Sequence, residues 1–460
     1  MRVRDAAEAS SAATVLNRTA YGEYTDSGVP HVAALPSHWR VLPLKRLCLR
    51  SALYGANEAA ETYADDGVRF LRTTDITDDG DVTAEGAVYV TDEAAADYML
   101  QHGDLLLSRS GTLGRSLCFD SRRDGPCAYA GYLVRFIPGP RLVPRYAFWF
   151  TKSLSFTDWL RVSVIQSTIG NVNGQKYASM QMPAPPHEEQ RAIADFLDRE
   201  TEKIDALVAK KQRLIELLQE KRTSLISHAV TKGHEPDASM KDSGSVFLPE
   251  MPAHWDSLHL GRLSREVSDG PHYSPEYVQD GILFLSTRNI GVDGWHFADA
   301  ECISADDFEL FSRKVVPKRG DVLYTKGGTT GIARAVDFDE PFQVWVHVAV
   351  LKLRKELVNP FFLAYALNGA ACYGQSQLYT RGATNNDLGL TRMVRIQLGL
   401  PPMREQAAIV RHLDSETARI DSLVATIEAA SNRLKEYRSA LITAAVTGQI
   451  DVRTYRQEAS

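Results

Sequence analysis

Three carboxylates, Asp75, Asp104 and Asp321, are of the type a metal-dependent nuclease uses to hold its cations. Asp104 and Asp321 each sit in a Gly-Asp turn leading into an apolar run, however, and no acid-plus-lysine set recurs in both halves of the chain. The KGGTTG segment at Lys326 has the glycines of a phosphate cradle, but its counterpart SRSGTLG lacks the lysine and the first of those glycines. A turn at a strand end explains both copies better.

Other catalytic signatures fare no better. NPFF at Asn359 is set against the Asn-Pro-Pro-aromatic loop that holds the target amine in amino-methyltransferases: the second proline is missing and the duplicate position reads VPRY. No glycine-rich cofactor loop precedes it, so a helix N-terminus is expected. No GxxxxGK[ST] phosphate loop, HExxH or Cys/His cluster at metal spacing occurs. The five cysteines (Cys48, Cys118, Cys127, Cys302, Cys372) are odd in number and contain no CxxC pair, as expected of free thiols in a reducing compartment. The expectation is a non-catalytic chain with no metal site.

The 460 residues carry 52 Lys+Arg against 58 Asp+Glu, with 44% apolar and 24% charged residues. That composition excludes wholesale disorder and suits several soluble domains. No stretch approaches the ~18–20 apolar residues of a membrane span, and the N-terminus lacks a signal-peptide apolar core, so a cytoplasmic protein is expected. A net charge of −6 argues against an overall basic coat, but a local basic face suffices to bind nucleic acid.

Self-comparison is far more informative. PPHEEQRAIADFLDRETEKIDALVA and PPMREQAAIVRHLDSETARIDSLVA align at a shift of 216 residues, from Pro186 to Pro402, and the match runs without a gap to AVT at Ala229 and Ala445. About half the positions are identical, more than shared helical periodicity gives. Upstream, LPSHWRVLPLKRL at Leu35 pairs with MPAHWDSLHLGRL at Met251, GVRFLRTTDIT at Gly67 with GILFLSTRNIG at Gly281, and GDLLLSRSGTLGRS at Gly103 with GDVLYTKGGTTGIA at Gly320. The chain is a tandem pair of units, each a variable globular part followed by a closely matched helical part.

Prolines followed by acids open each helix, and apolar residues recur at steps of three and four. The first seam is Ile193, Leu197, Ile204, Leu207/Val208, Leu218 and Leu225; the second is Ile409, Leu413, Ile420, Leu423/Val424, Leu434 and Leu441. Helices of about 45 residues are roughly 65–70 Å long, about two turns of B-DNA. Pairing one helix antiparallel on the other hides both seams and follows from an internal two-fold. Runs such as VRFLRT, DLLLSRS, YLVRFIP, ILFLST, DVLYTK and WVHVAVLKL read as strands, while VPRYAFWFTKSL and NPFFLAYALNG read as short helices begun at proline.

In combination, PPMREQAAIVRHLD, the LKEYRSALITAAVTGQIDVR end, GDLLLSRSGTLGR and the duplication resemble the DNA specificity subunit of type I restriction–modification systems. The resemblance covers His31 to Arg453; the first helix departs from the pattern with HEEQ after its prolines and TKGH where the second copy has TGQI. It implies an α+β chain with two tandem α/β target-recognition domains, joined by two long antiparallel coiled-coil helices with internal pseudo-two-fold symmetry. The divisions then run: a flexible tail over 1–30, recognition domain 1 over 31–185, the central helix over 186–232, a linker over 233–250, recognition domain 2 over 251–401, the distal helix over 402–448 and a C-terminal tail over 449–460.

By the same resemblance, each domain reads one half of a bipartite site in double-stranded DNA, and the helices set the spacer and dock two adenine methyltransferase subunits. Restriction/translocase subunits complete the complex. S-adenosylmethionine, ATP and Mg²⁺ belong to those partners, and this chain holds no cofactor.

Base edges are read by Arg, Lys, Asn, Gln, Ser and Thr, and phosphates by Lys, Arg and turn N–H groups. Three pairs of segments supply these types. The first is Arg109, Ser110, Thr112 and Arg115 opposite Lys326, Thr329 and Thr330. The second is Thr73, Thr74 and Asp75 opposite Thr287, Arg288 and Asn289, and the third Asn171, Asn173 and Lys176 opposite Thr384, Asn385 and Asn386. Turn capping accounts for each residue as readily as base contact. An enzyme active without partners, and a coiled-coil adaptor that never touches DNA, are the competing readings. Divergent heads on matched helices argue against the adaptor.

Overall fold

The computed structural model describes residues 16, 18–32, 34–165, 171–233, 235, 237–382, 386–453 and 455. It divides into two compact units, Met1–Lys211 with Glu428–Ser460, and Gln212–Ile427. The long helices run His187–Lys232 and Met403–Val446, so each contributes one half to each unit. No described helix is long and apolar enough to cross a membrane.

Within the first unit, the opening turns of the first helix (Ile193, Leu197, Ile204) share a core with the closing turns of the second (Leu441, Ile442, Val446) and with Trp39, Tyr146 and Phe150. Within the second unit, Ile226 and Val230 from the end of the first helix meet Ile409 and Leu413 from the start of the second, beside Trp255 and Phe362. The helices are therefore antiparallel in both. Left-handed glycines close them, Gly233 at φ 74° and Gly448 at φ 69°.

Leu207 and Leu423 depart from the expected seam: they are 48% and 45% exposed. The inward step from Ile204 is four residues, to Val208, which packs on the core. A lone helix pair buries only a narrow stripe, and a residue one position off that stripe faces solvent. Leu218, Leu225 and Leu434 are half-buried along the seam, and Ile420 is buried.

Each globular part carries a four-stranded antiparallel sheet of the same order. In the first unit it is Cys48–Tyr54, Leu133–Pro138, Leu105–Ser108 and Ser116–Cys118; in the second, Ser264–Asp269, Val348–Leu353, Val322–Thr325 and Ala333–Ala335. A smaller sheet adds a parallel pair, Val68–Leu71 with Cys127–Tyr129 and Ile282–Leu285 with Phe342–Val344. The strand following the HW pair (His38-Trp39 and, in the second unit, His254-Trp255) lies antiparallel to the strand leading into the long helix, Arg40–Pro43 on Gln181–Ala184 and Asp256–His259 on Gln397–Leu400.

The PPxxEQ motif fastens domain to helix. Gln190 accepts from Val143 N (2.8 Å) and donates to the carbonyls of Arg141 and Pro185 (both 2.9 Å). Gln406 does the same with Asn359 N (2.7 Å), Leu357 O (2.9 Å) and Pro401 O (2.8 Å). The neighbouring glutamate takes the indole N–H of the HW pair, Trp39 to Glu189 at 2.9 Å and Trp255 to Glu405 at 3.1 Å, while His38 and His254 pair with the same carboxylates at 2.8 Å. Asn359 caps the helix Pro360–Asn368, as expected of NPFF.

Three of the expected segments hold more structure than a tail or linker. The segment taken as a loose N-terminal tail packs from Leu16 onward: Leu16 and Tyr21 are in the core, and Tyr24–Thr25 pairs with Leu35–Pro36. The expected linker holds the corresponding hairpin, Met240–Ser245 on Leu248–Pro252, with Met240 opposite Pro252 as Tyr24 is opposite Pro36. An Asp-Ser-Gly turn drives both, since Asp26 accepts from Gly28 N (2.9 Å) and Asp242 from Gly244 N (2.7 Å). At the C-terminal end, Ile450 and Val452 are buried in the first unit's core and Asp451 N donates to Thr19 O (2.7 Å).

Candidate nucleic-acid interface

In the first unit, Thr73–Asp75 forms a 3-10 turn after the strand Val68–Leu71. Asp75 is buried and accepts from Arg72 N (2.7 Å), Nε (3.0 Å) and Nη2 (2.9 Å). Burial pushes its carboxyl up, but the hydrogen bonds from Arg72 and the charge of Arg69 outweigh burial and hold it below the ordinary value. In the second unit Asn289 fills this position without charge, accepting from Ser286 N (2.7 Å) and Ser286 Oγ (2.9 Å) and donating to His296 O (3.1 Å). Asp75 and Asn289 hold the turn and have no face turned outward. Thr74 and Arg288, beside them, are exposed; Thr73 is buried and Thr287 half-buried.

The second pair of loops is similarly divided. Arg115 is committed to Asp78 (Nε–Oδ1 3.0 Å) and to Thr73 O (3.2 Å), tying its loop to the 73–75 turn. Arg109 lies 4.9 Å from the Tyr54 ring centroid, and its buried Nε finds no acceptor among the described residues. Ser110 is half-buried and Thr112 exposed. Lys326 is buried between Asp269 (3.3 Å) and Asp387 (3.5 Å), and Lys314 also pairs with Asp269. A cation so neutralised holds the loop and offers DNA no free charge. Thr330 is buried against Thr380 (3.1 Å), leaving Thr329 exposed.

In the third set, Asn173 caps the helix Gly174–Ser179 by accepting from Lys176 N (2.9 Å), and Lys176 Nζ donates to Ser163 O (2.8 Å). Asn171 is half-buried, and its Oδ1 has no partner among the described residues. Thr384 and Asn385 lie outside the described residues, whereas Asn386 is exposed. The two Gly-Asp carboxylates are structural as well. Asp104 accepts from Gln101 N (2.6 Å) and pairs with Arg135 (2.6 Å); Asp321 accepts from Lys318 N (2.7 Å) and pairs with Lys352 (2.5 Å).

The first unit gathers Thr73, Thr74 and Ser110 around an open cleft of about 650 Å³, together with Asn57, Glu58, Tyr63 and Tyr132. Sequence reasoning missed these last four. Asn57 and Tyr132 flank a backbone crossing that only glycine permits: a Cβ on Gly55 would lie 2.2 Å from Tyr129 O, and one on Gly270, at the same place in the second unit, 1.9 Å from Val344 O. The signal was present in GANE at Gly55 and GPHY at Gly270, each at the end of a strand of the four-stranded sheet.

The sequence profile of the family described as "Type I restriction modification DNA specificity domain" matches residues 52–217 and again 273–430. The StySPI specificity subunit of Salmonella potsdam is 21% identical over 90% of both chains, and the EcoKI specificity subunit of Escherichia coli (strain K12) is also 21% identical over 90% of both. The MjaVIII specificity subunit of Methanocaldococcus jannaschii is 23% identical over 62% of this chain, which spans 65% of that protein's length. Among solved structures, the HsdS subunit from Thermoanaerobacter tengcongensis shares the fold with a TM-score of 0.52 at 17% identity, over 90% of this chain and 98% of that one. A chain from work on complex assembly and conformational transition of the type I R-M system reaches 0.69 at 17% identity, with the same coverage.

Proposed function

Because the chain belongs to the type I restriction–modification DNA specificity family, as a non-catalytic specificity subunit, we propose that its two domains each read one half of a bipartite DNA site. The helices set the unread spacer and dock two methyltransferase subunits, directing adenine methylation and, with restriction subunits, cleavage. S-adenosylmethionine, ATP and Mg²⁺ are bound by those partners, in the cytoplasm.

The supporting observation is the contrast between frame and loops. The Trp–Glu and Gln clamps recur bond for bond in both units, whereas on the loops Asn289 replaces Asp75 and Lys326 replaces Arg109 at the equivalent positions. A repeated frame suits two identical partners, and divergent loops suit two different half-sites. Exposed Leu207 and Leu423, equivalent positions on the two helices, are the apolar docking points.

Single-molecule methylation mapping tests this in cells expressing the chain with its methyltransferase, against cells lacking only this chain. One bipartite methyladenine motif, present only with the chain, is expected. Absence of any motif, with the partner folded and bound, would overturn the proposal in favour of a scaffold.

A further inference from the structure

We infer that Tyr132 in the first domain and His347 in the second are specificity-determining residues at corresponding positions, each reading a base edge in its own half-site. This rests on the function proposed above and adds which side chains discriminate.

Both rings stand on the same rigid turn. Leu133 N donates to Ala130 O (2.9 Å) and Val348 N to Trp345 O (2.9 Å), closing it. The carbonyl of Tyr132 accepts from Arg109 N (2.9 Å) and that of His347 from Lys326 N (2.8 Å), which fixes the turn to the neighbouring loop. In the first domain Gly131 N also donates to Ala56 O (2.7 Å). A held backbone presenting an outward ring is what a precise polar or apolar contact requires. Tyr132 is 66% exposed, an aromatic surface for which folding of the unit has no use. His347 is exposed too, and its ring lies over Gly327, where a Cβ would come within 2.0 Å of Nδ1.

The chemistry around Tyr132 favours a base over a phosphate. Thr74 and Ser110 bring hydroxyls, Asn57 an amide and Glu58 a carboxylate to the cleft, beside the Tyr63 ring. Among the described residues the cleft's one cation is Arg72, which is held on Asp75 (2.9 Å), a carboxylate it shares with Arg69 (3.3 Å), and Glu58 repels a phosphate. Hydroxyls, an amide and a carboxylate match the donor and acceptor groups of a base edge in the major groove, and an aromatic face suits the thymine methyl. Phenol in one domain and imidazole in the other give the half-sites different requirements from one backbone position.

The test maps methylation by the assembled complex of this chain with its methyltransferase subunits, for Tyr132→Ala, His347→Ala and wild type. In Y132A one base pair of one half-site should become degenerate, with methylation of mismatched sites rising roughly tenfold or more relative to the motif, and the other half unchanged. H347A should relax one base pair in the opposite half. Should Y132A fail to assemble, Tyr132→His, which brings in the second domain's side chain, is read the same way. An unchanged motif in both variants overturns the inference, as does equal weakening on all sequences, or both variants acting on the same half. A wild-type complex without any motif would overturn the underlying function instead.

Discussion

Trp39 donates its indole N–H to Glu189 Oε2 at 2.9 Å, joining residues 150 positions apart. Trp255 and Glu405 repeat the bond at 3.1 Å over the same separation. The first copy is the richer hub, because Tyr21 OH (3.3 Å) and Arg453 (3.8 Å) also reach Glu189. Glu189→Ala should therefore cost about 2–3 kcal/mol of stability and Glu405→Ala about 1–2, since each removes the carboxylate that pairs with the tryptophan and histidine. Calorimetric unfolding of the two variants checks the order; equal losses would show that the extra contacts contribute nothing.

Replacing Asp75 by Asn copies the side chain of Asn289 but leaves Arg72 and Arg69 without their counter-charge. D75N alone should destabilise by about 2–3 kcal/mol, and the double variant R72S/D75N, which reproduces the Ser286–Asn289 pair, should recover part of that. A double-mutant cycle in urea measures the coupling, and strict additivity would refute the clamp.

The same carboxylate makes stability depend on acid. Its folded pKa lies below its unfolded value, so its contribution is fully present above about pH 4 and is lost as pH falls through the folded pKa. Melting temperatures between pH 7 and pH 3 should fall less steeply in the R72S/D75N variant than in wild type.

Lys326 and Arg109 occupy matched positions with opposite expected consequences. Lys326→Ala should lower the stability of the second unit by about 1–2 kcal/mol, because Asp269 loses one of its two lysines, and should leave DNA affinity nearly unchanged. Arg109→Ala should weaken binding by about 1–3 kcal/mol with little effect on melting, the Tyr54 ring being the one partner of its guanidinium among the described residues. Fluorescence anisotropy on the methylated motif separates the two.

Leu207→Asp or Leu423→Asp should leave folding within about 0.5 kcal/mol of wild type, both side chains being largely in solvent. Each should remove one methyltransferase from the complex, so native mass spectrometry should count two partners on the wild-type chain and one on either variant.

The duplication, the long helices, the strands and the NPFF cap were legible because each rests on local pattern: a 216-residue repeat, a helical period, a proline followed by acids. The roles of Glu189 and Gln190 were not, since their partners are distant in sequence and a polar pair on a helix gives no sign of what it grips. The first hairpin was hidden by its polar turn, although Asp-Ser-Gly at Asp26 recurs at Asp242 and carries the same 216-residue shift. Reading residues were inferred from type alone, and type does not distinguish a buried lysine between two aspartates from a free one. Tyr132 escaped because an aromatic beside a strand is ordinarily core.

The second unit is one continuous stretch of chain, Gln212–Ile427, but the first is assembled from two stretches separated by all of the second. On the ribosome, the apolar stripe of Ile193, Leu197 and Ile204 is therefore made long before Leu441, Ile442 and Val446, which share its core. The second unit has all its residues in hand sooner, so its core can close before that of the first. The first has Trp39, Tyr146 and Phe150 to cover part of that stripe but must wait for its last segment to complete the core, the interval in which chaperone capture and aggregation compete with completion.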